Sequence, residues 1–197
     1  MLAIEFPGRR TLIDTLDAAV AHRETERVTR ALRDGLCRMI RGCEVELPAC
    51  VFEACGDHYA RRELYRSDEH GYCVVAMTWG PGQGTMIHDH CGMWCVEGVW
   101  RGELEVVQYE LMEHDRNRYR FRPAGAIQAG PGSAGSLIPP HEYHTIRNPG
   151  DEITVSLHIY QDRMLTCAVF EPVEGGWYAR GERVLPQDNT VSTRPCV

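Results

Sequence analysis

The sequence predicts a mainly-β domain, a sandwich or small barrel, preceded by a helical region. Three observations carry that expectation. Apolar residues at helical spacing are confined to the N-terminal part, an unbroken apolar run fills 72–79, and short alternating segments between glycine and proline turns follow to about residue 170. Leu12, Leu16, Ala19 and Val20, then Val28, Ala31, Leu32, Leu36, Met39 and Ile40, recur every three or four residues and predict helix over 11–41. Thr11 and Asp14 suit its start and Gly42 its stop. Residues 47–66 are less patterned, with Pro48 able to open a short helix. The run Tyr72-Cys-Val-Val-Ala-Met-Thr-Trp79 reads as a strand buried on both faces. Over 94–111, Gly98 and Gly102 read as bend points, with Leu104 and Val106 alternating against Glu103 and Glu105. Gly130-Pro-Gly-Ser and Pro139-Pro140 mark loops. Ile153, Val155, Leu157 and Ile159 then put one strand face into a core, leaving Thr154, Ser156, His158 and Tyr160 on the other.

A chain of 197 residues suits a single domain with a real core. It divides into a mostly helical part over about 1–66, a barrel over about 70–170 and a C-terminal extension over 171–197. The 21 Lys and Arg against 28 Asp and Glu leave a net charge of −7, which argues against a general nucleic-acid binder. No apolar stretch is long enough for a membrane span, and 1–10 lacks an apolar signal core, so a soluble, cytoplasmic protein is expected. Nine cysteines, none in a CxxC pair and odd in number, read as reduced thiols rather than a disulfide scaffold or zinc ribbon.

The chemistry concentrates in Gly82-Gln-Gly-Thr-Met-Ile-His88-Asp-His90-Cys-Gly-Met-Trp-Cys95. One isolated histidine is most simply a satisfied core or surface residue. Two at i and i+2 on a strand, however, share a face, and a third from a neighbouring strand completes a three-nitrogen metal site. His144, in His144-Thr-Ile-Arg-Asn148, offers the third nitrogen, with His141 in competition for the position. Asp89 should point away between the two histidines, and Met93 and Trp94 should wall the pocket. His22, His58, His70 and His114 stand in polar contexts and read as solvated.

Gly82-x5-His88-x-His90 and His144-x3-Asn148 resemble the two metal motifs of the cupin barrels (double-stranded β-helices). In that superfamily the first motif usually supplies a glutamate ligand after three or four further residues. Here Cys95 holds that place, with Gly102 still in register. A cysteine there is characteristic of the thiol dioxygenases, the cysteine dioxygenase family, which hold ferrous iron through three histidines alone. Trp79-Gly-x-Gly82, Tyr59-x-Arg61, Ser156-x-His158-x-Tyr160 and Cys167 add to the resemblance, which spans roughly residues 59–170. The resemblance implies Fe(2+) on His88, His90 and His144, and Arg61 with Tyr59 on the substrate carboxylate. It also implies a Ser156–His158–Tyr160 relay orienting the Tyr160 hydroxyl, and a thioether joining Cys95 to Tyr160. Arg62 is the natural rival of Arg61.

The residue types make chemical sense on their own. Three neutral imidazoles leave a divalent ion its full charge, so a thiolate is a matched incoming ligand. Ferrous iron, unlike zinc, supports the addition of both atoms of O2 to sulfur, a climb from thiolate to sulfinate. A guanidinium matches carboxylate geometry in two-pronged fashion. In the resembling family, members acting on 3-mercaptopropionate often carry Gln where this chain has Arg61, so the resemblance makes Arg61 and Cys95 favour L-cysteine. The loop Gln161-Asp162-Arg163-Met164 departs from the animal enzymes, and Trp94 and the glycine-rich 79–84 stretch resemble bacterial relatives acting on 3-mercaptopropionate or related thiol acids, so 3-mercaptopropionate and mercaptosuccinate are the alternative substrates. The expected partners are thus a small thiol and O2, with neither nucleic acid nor membrane, in a monomer or weak homo-oligomer. Two other classes compete. One is a non-catalytic cupin module binding a metal or small acid. The other is a zinc or manganese isomerase, which would usually keep the missing carboxylate.

Overall fold

In a computed structural model, which describes residues 4–188, the N-terminal apolar pattern forms two helices rather than one. These are α1 (Arg9–Val20) and α2 (Thr25–Arg41). The break falls at His22-Arg23-Glu24, which supplies nothing to the buried stripe. Helix α1 starts before Thr11, from Gly8, while Gly42 does cap α2. A short 3-10 turn, Ala49–Phe52, follows Pro48.

Helical character was expected to continue to residue 66, but β1 (Ala60–Ser67) is a strand paired antiparallel with β2 (Tyr72–Trp79). Its charges hid it. Arg61, Arg62 and Glu63 are all buried, so no polar face marks the alternation. Arg62 donates to the Thr78 hydroxyl and the Glu53 carbonyl, and Glu63 pairs with Arg163 at 3.2 Å. Buried charges persist only when compensated in this way.

The remaining strands are β3 (Ile87–His88), β4 (Cys95–Arg101), β5 (Leu104–Asp115), β6 (Arg118–Ala129), β7 (Ala134–Leu137), β8 (His144–Arg147), β9 (Thr154–Tyr160), β10 (Thr166–Val173) and β11 (Trp177–Val184). One sheet runs β1-β2-β9-β4-β7, and a closed set runs β10-β11-β6-β5-β8-β3. The mainly-β barrel with N-terminal helices is therefore as the sequence predicts. The 171–197 segment is less an extension than expected. Strand β11 pairs with β10 along its whole length and meets β6, so it is barrel wall, while residues 189–197 lie outside the described residues.

The helices cover one face of the five-stranded sheet, where Leu12, Leu16, Leu32 and Leu36 pack on Val74, Val96 and Leu157. Gly98, expected to bend the chain, lies inside β4 instead. A Cβ there would stand 3.1 Å from Leu36 Cδ1, so its role is to let α2 approach. Gly102 does make the turn, at φ 75°. The sheet's other face looks into the barrel. Strand β9 divides as its alternation requires, with Val155, Leu157 and Ile159 toward the helices and Ser156, His158 and Tyr160 toward the interior. No helix among the described residues is long and apolar enough to cross a membrane.

Candidate metal centre

His88 closes β3 and pairs across the ladder with His144 at the start of β8, and His90 follows two positions on. The three rings converge, with centroids 4.4 Å (88–144), 5.0 Å (90–144) and 5.3 Å (88–90) apart. One nitrogen of each lies within 4.8 Å of the other two. All three are buried. His88 Nδ1 donates to the Met86 carbonyl at 3.1 Å and His144 Nδ1 to the Glu142 carbonyl at 3.0 Å. A carbonyl can only accept, so in the neutral ring the lone pair sits on Nε2, the arrangement that orients metal-binding histidines. His144 Nε2 and both ring nitrogens of His90 are buried without a hydrogen-bond partner among the described residues. Burial, then the neighbouring His144, holds His88 down to about 3, and the same causes hold His90 well below its ordinary value. Burial opposes a charge on His144 too, but Glu97 outweighs it and raises the His144 pKa. Buried, unsatisfied nitrogens aimed together are costly alone and fit a divalent ion.

The structure also settles the neighbours. His141 is exposed, so His144 is the histidine in the cluster. Asp89 does point away, its Oδ1 accepting from the Ala168 and Cys91 backbone amides. Trp94 belongs to the helix-facing core rather than the pocket, whose sulfur-bearing walls are Met77, Met86, Met164 and Cys167.

Cys95 is fully buried, and burial, with Glu97 next, pushes its thiol well above the usual range. It faces Tyr160 across the β4–β9 ladder. Burial, then that thiol, raises the Tyr160 hydroxyl in turn.

A centre without an acidic neighbour was expected, and here the structure differs. Glu97 shares Cys95's face of β4 and puts Oε1 3.4 Å from His144 Nε2 and 3.2 Å from His158 Nδ1. Burial opposes its charge, but the His158 and His144 imidazoles outweigh that and hold the carboxyl well below its ordinary range. Glu97 also lies with His90 and Cys95 in a second cluster of ligand atoms. The signal was present in period-two alternation from Cys95, which motif spacing passes over. Glu97→Gln is expected to weaken divalent-metal binding about 10–100-fold, as loss of an outer-sphere partner does. Competition against a calibrated chelator checks this, and unchanged affinity would make Glu97 a packing residue.

The relay expected through Ser156, His158 and Tyr160 forms only in part. Trp79 Nε1 donates to Ser156 Oγ at 2.9 Å, and Ser156 Oγ lies 2.8 Å from His158 Nε2. The other His158 nitrogen then faces Glu97 instead of the Tyr160 hydroxyl. His158 and Tyr160 are stacked, with centroids 6.0 Å apart.

Arg61 lines the same cavity, 3% exposed, with its Cζ 5.9 Å from the Tyr160 ring centre and its Nε unpaired among the described residues. Arg62 faces the opposite way, into the contacts with Thr78 and Glu53. Tyr59 stacks on Trp79 at 4.5 Å. His58, expected to be solvated, is engaged. Its Nε2 is 3.0 Å from Asp188 Oδ1, while Asp188 Oδ2 accepts the Arg61 backbone N–H at 2.8 Å. The Asp188 bond, then Asp57, raises the His58 pKa. This contact fastens the segment after β11 beside Arg61.

A curated relative, cysteine dioxygenase type 1 of Danio rerio, is 24% identical over 140 residues, covering 66% of this chain and 69% of its own. Among solved structures, a Thermus thermophilus protein aligns with TM-score 0.46 at 19% identity, over 59% of this chain and 95% of that one. A Klebsiella pneumoniae protein with a double-stranded β-helix domain aligns with TM-score 0.45 at 16% identity, over 58% and 82%. The sequence profile of the family described as cysteine dioxygenase type I matches residues 54–172, from ahead of β1 to the end of β10. With more than half its length inside that match, the chain belongs to the cysteine dioxygenase type I family, within the cupin superfamily.

Proposed function

We propose that the protein is an iron-dependent dioxygenase that oxidises the sulfur of a small thiol acid to a sulfinate. The overall reaction is R–SH + O2 → R–SO2⁻ + H⁺. Sulfur loses four electrons, O2 gains them, and both oxygen atoms end on sulfur. Family membership supports a thiol dioxygenase. The observation that carries the fuller reading is a single cavity joining His88, of the imidazole cluster, to Arg61, whose Nε is unpaired among the described residues. When bound by His88, His90 and His144, a ferrous ion supplies the redox chemistry that permits O2 to add to sulfur.

The chain's own groups do the rest. Arg61 draws the carboxylate into a site where no acid among the described residues is paired with its guanidinium, which fixes the thiol end toward the imidazoles. Tyr160, between Arg61 and His90, offers its hydroxyl to the sulfur or the oxygen atoms. Cys95 lies against it and is the partner that a thioether would join. The Trp79–Ser156–His158 chain holds Glu97, whose negative charge tempers the cationic centre. Met77, Met164 and Val169 keep water from the reacting atoms. Free thiols at all eight described cysteines fit a reducing, cytoplasmic setting. Arg61 and Cys95 favour L-cysteine among thiols with a single carboxylate.

The test is direct. Anaerobically prepared, iron-loaded protein is mixed with oxygenated buffer, with and without L-cysteine, 3-mercaptopropionate or mercaptosuccinate. O2 uptake should require the thiol acid, and sulfinate should appear in equal amount. Thiol-independent uptake, or none with any of the three, removes the proposal.

A further inference from the structure

We infer that Arg183 forms a second carboxylate subsite, and that the thiol this enzyme takes best carries two carboxylates. The inference rests on the thiol dioxygenase reading and specifies its substrate class. Arg183 comes from β11, in the segment that the sequence left without a role. It lines both the inner cavity, with Arg61, His88 and Tyr160, and an outer pocket of about 140 Å³ that shares Tyr59, Arg61 and Leu185 with it. Its guanidinium lies over the Tyr59 ring, Cζ 5.4 Å from the centre, and that ring is stacked on Trp79. The cation is thus held on an aromatic platform, and its N–H groups have no hydrogen-bond partner among the described residues. Tyr59, Arg61 and Arg183 line both the inner cavity and the outer pocket, which puts the two cations at one shared boundary.

Two guanidiniums facing one partly dry cavity repel each other unless an anion joins them. No described carboxylate does so. Asp188, at the mouth, has both oxygens committed to His58 and the Arg61 backbone N–H. Glu97 lies on the far side, against His144 and His158. A dicarboxylate with a thiol on the carbon beside one carboxyl group matches this layout. One carboxylate meets Arg61, the other reaches outward to Arg183, and the sulfur points inward. L-cysteine would place an ammonium where the layout favours an anion, and 3-mercaptopropionate would leave Arg183 unused.

Protein loaded with zinc, a redox-inert occupant, permits the binding test without turnover. Calorimetric titration should show mercaptosuccinate binding at least about tenfold tighter than 3-mercaptopropionate, the scale of one added charge-assisted pairing. Arg183→Gln should cancel that advantage while leaving 3-mercaptopropionate within about twofold. Equal binding of the two acids to the unaltered protein, or an equal loss for both in the variant, overturns the subsite. Iron-loaded protein that binds these acids with the expected preference yet yields no sulfinate would instead refute the oxygenase reading and leave the subsite standing.

Discussion

Replacing His144 with Ala is expected to abolish iron retention and, with it, oxidation of every thiol acid. His141→Ala, three residues upstream, should leave both within about twofold. His144 is completely buried, its Nδ1 is tied to the Glu142 carbonyl, and its Nε2 faces the other two rings with no hydrogen-bond partner among the described residues. Removing it takes away one of three donors, a loss beyond the 10–100-fold that outer-sphere partners cost. It also leaves Glu97 with one imidazole neighbour instead of two. The measurement is metal stoichiometry after gel filtration, paired with thermal unfolding. Iron that binds only the folded state raises stability by about 2.7 kcal/mol at a hundredfold excess over Kd. The unaltered protein and His141→Ala should show that iron-dependent rise, and His144→Ala should not. A His144→Ala protein that keeps one iron per chain would show that the three imidazoles do not form the site.

The same residues show what sequence can and cannot reveal. His88, His90 and His144 were legible because ligation demands a fixed spacing on strands, and strand periodicity is simple. Strand β9 was legible for the same reason, since its apolar and functional residues alternate cleanly. Strand β1 was not. Its buried Arg61, Arg62 and Glu63 look like a solvated face, and only their tertiary partners explain why they are inside. Glu97 was hidden by the motif itself. Once Cys95 filled the place of the usual acid, nothing in the spacing drew the eye two residues on. Gly98 misled because a glycine that relieves a helix contact and one that makes a turn look alike in sequence. Strand β11 and Arg183 were missed because the family motifs end before them, while the barrel does not.

Arg61→Ala provides the second large effect, and it separates substrate anchoring from structural support. A truncated partner in a desolvated charged pair costs about 2–5 kcal/mol, which corresponds to a loss of about 30-fold to several thousandfold in kcat/KM for a thiol acid. Cysteamine has no carboxylate to lose, so its kcat/KM should fall by less than about tenfold. Some loss is expected even there, because the guanidinium lies 5.9 Å from the Tyr160 ring and helps hold it. The Arg61 backbone N–H still meets Asp188 in the variant, so the segment after β11 keeps its tether. For the acid the change should fall mainly on KM, since the lost pairing is made in ground and transition states alike. Arg61→Lys should recover part of the loss, as an ammonium restores charge without the two-pronged geometry. An equal decline with acid and amine would mean that Arg61 serves Tyr160 rather than the substrate. The carboxylate would then have to be held by Arg183 alone, which the same pair of substrates, run on Arg183→Gln, would reveal as a selective loss of the acid.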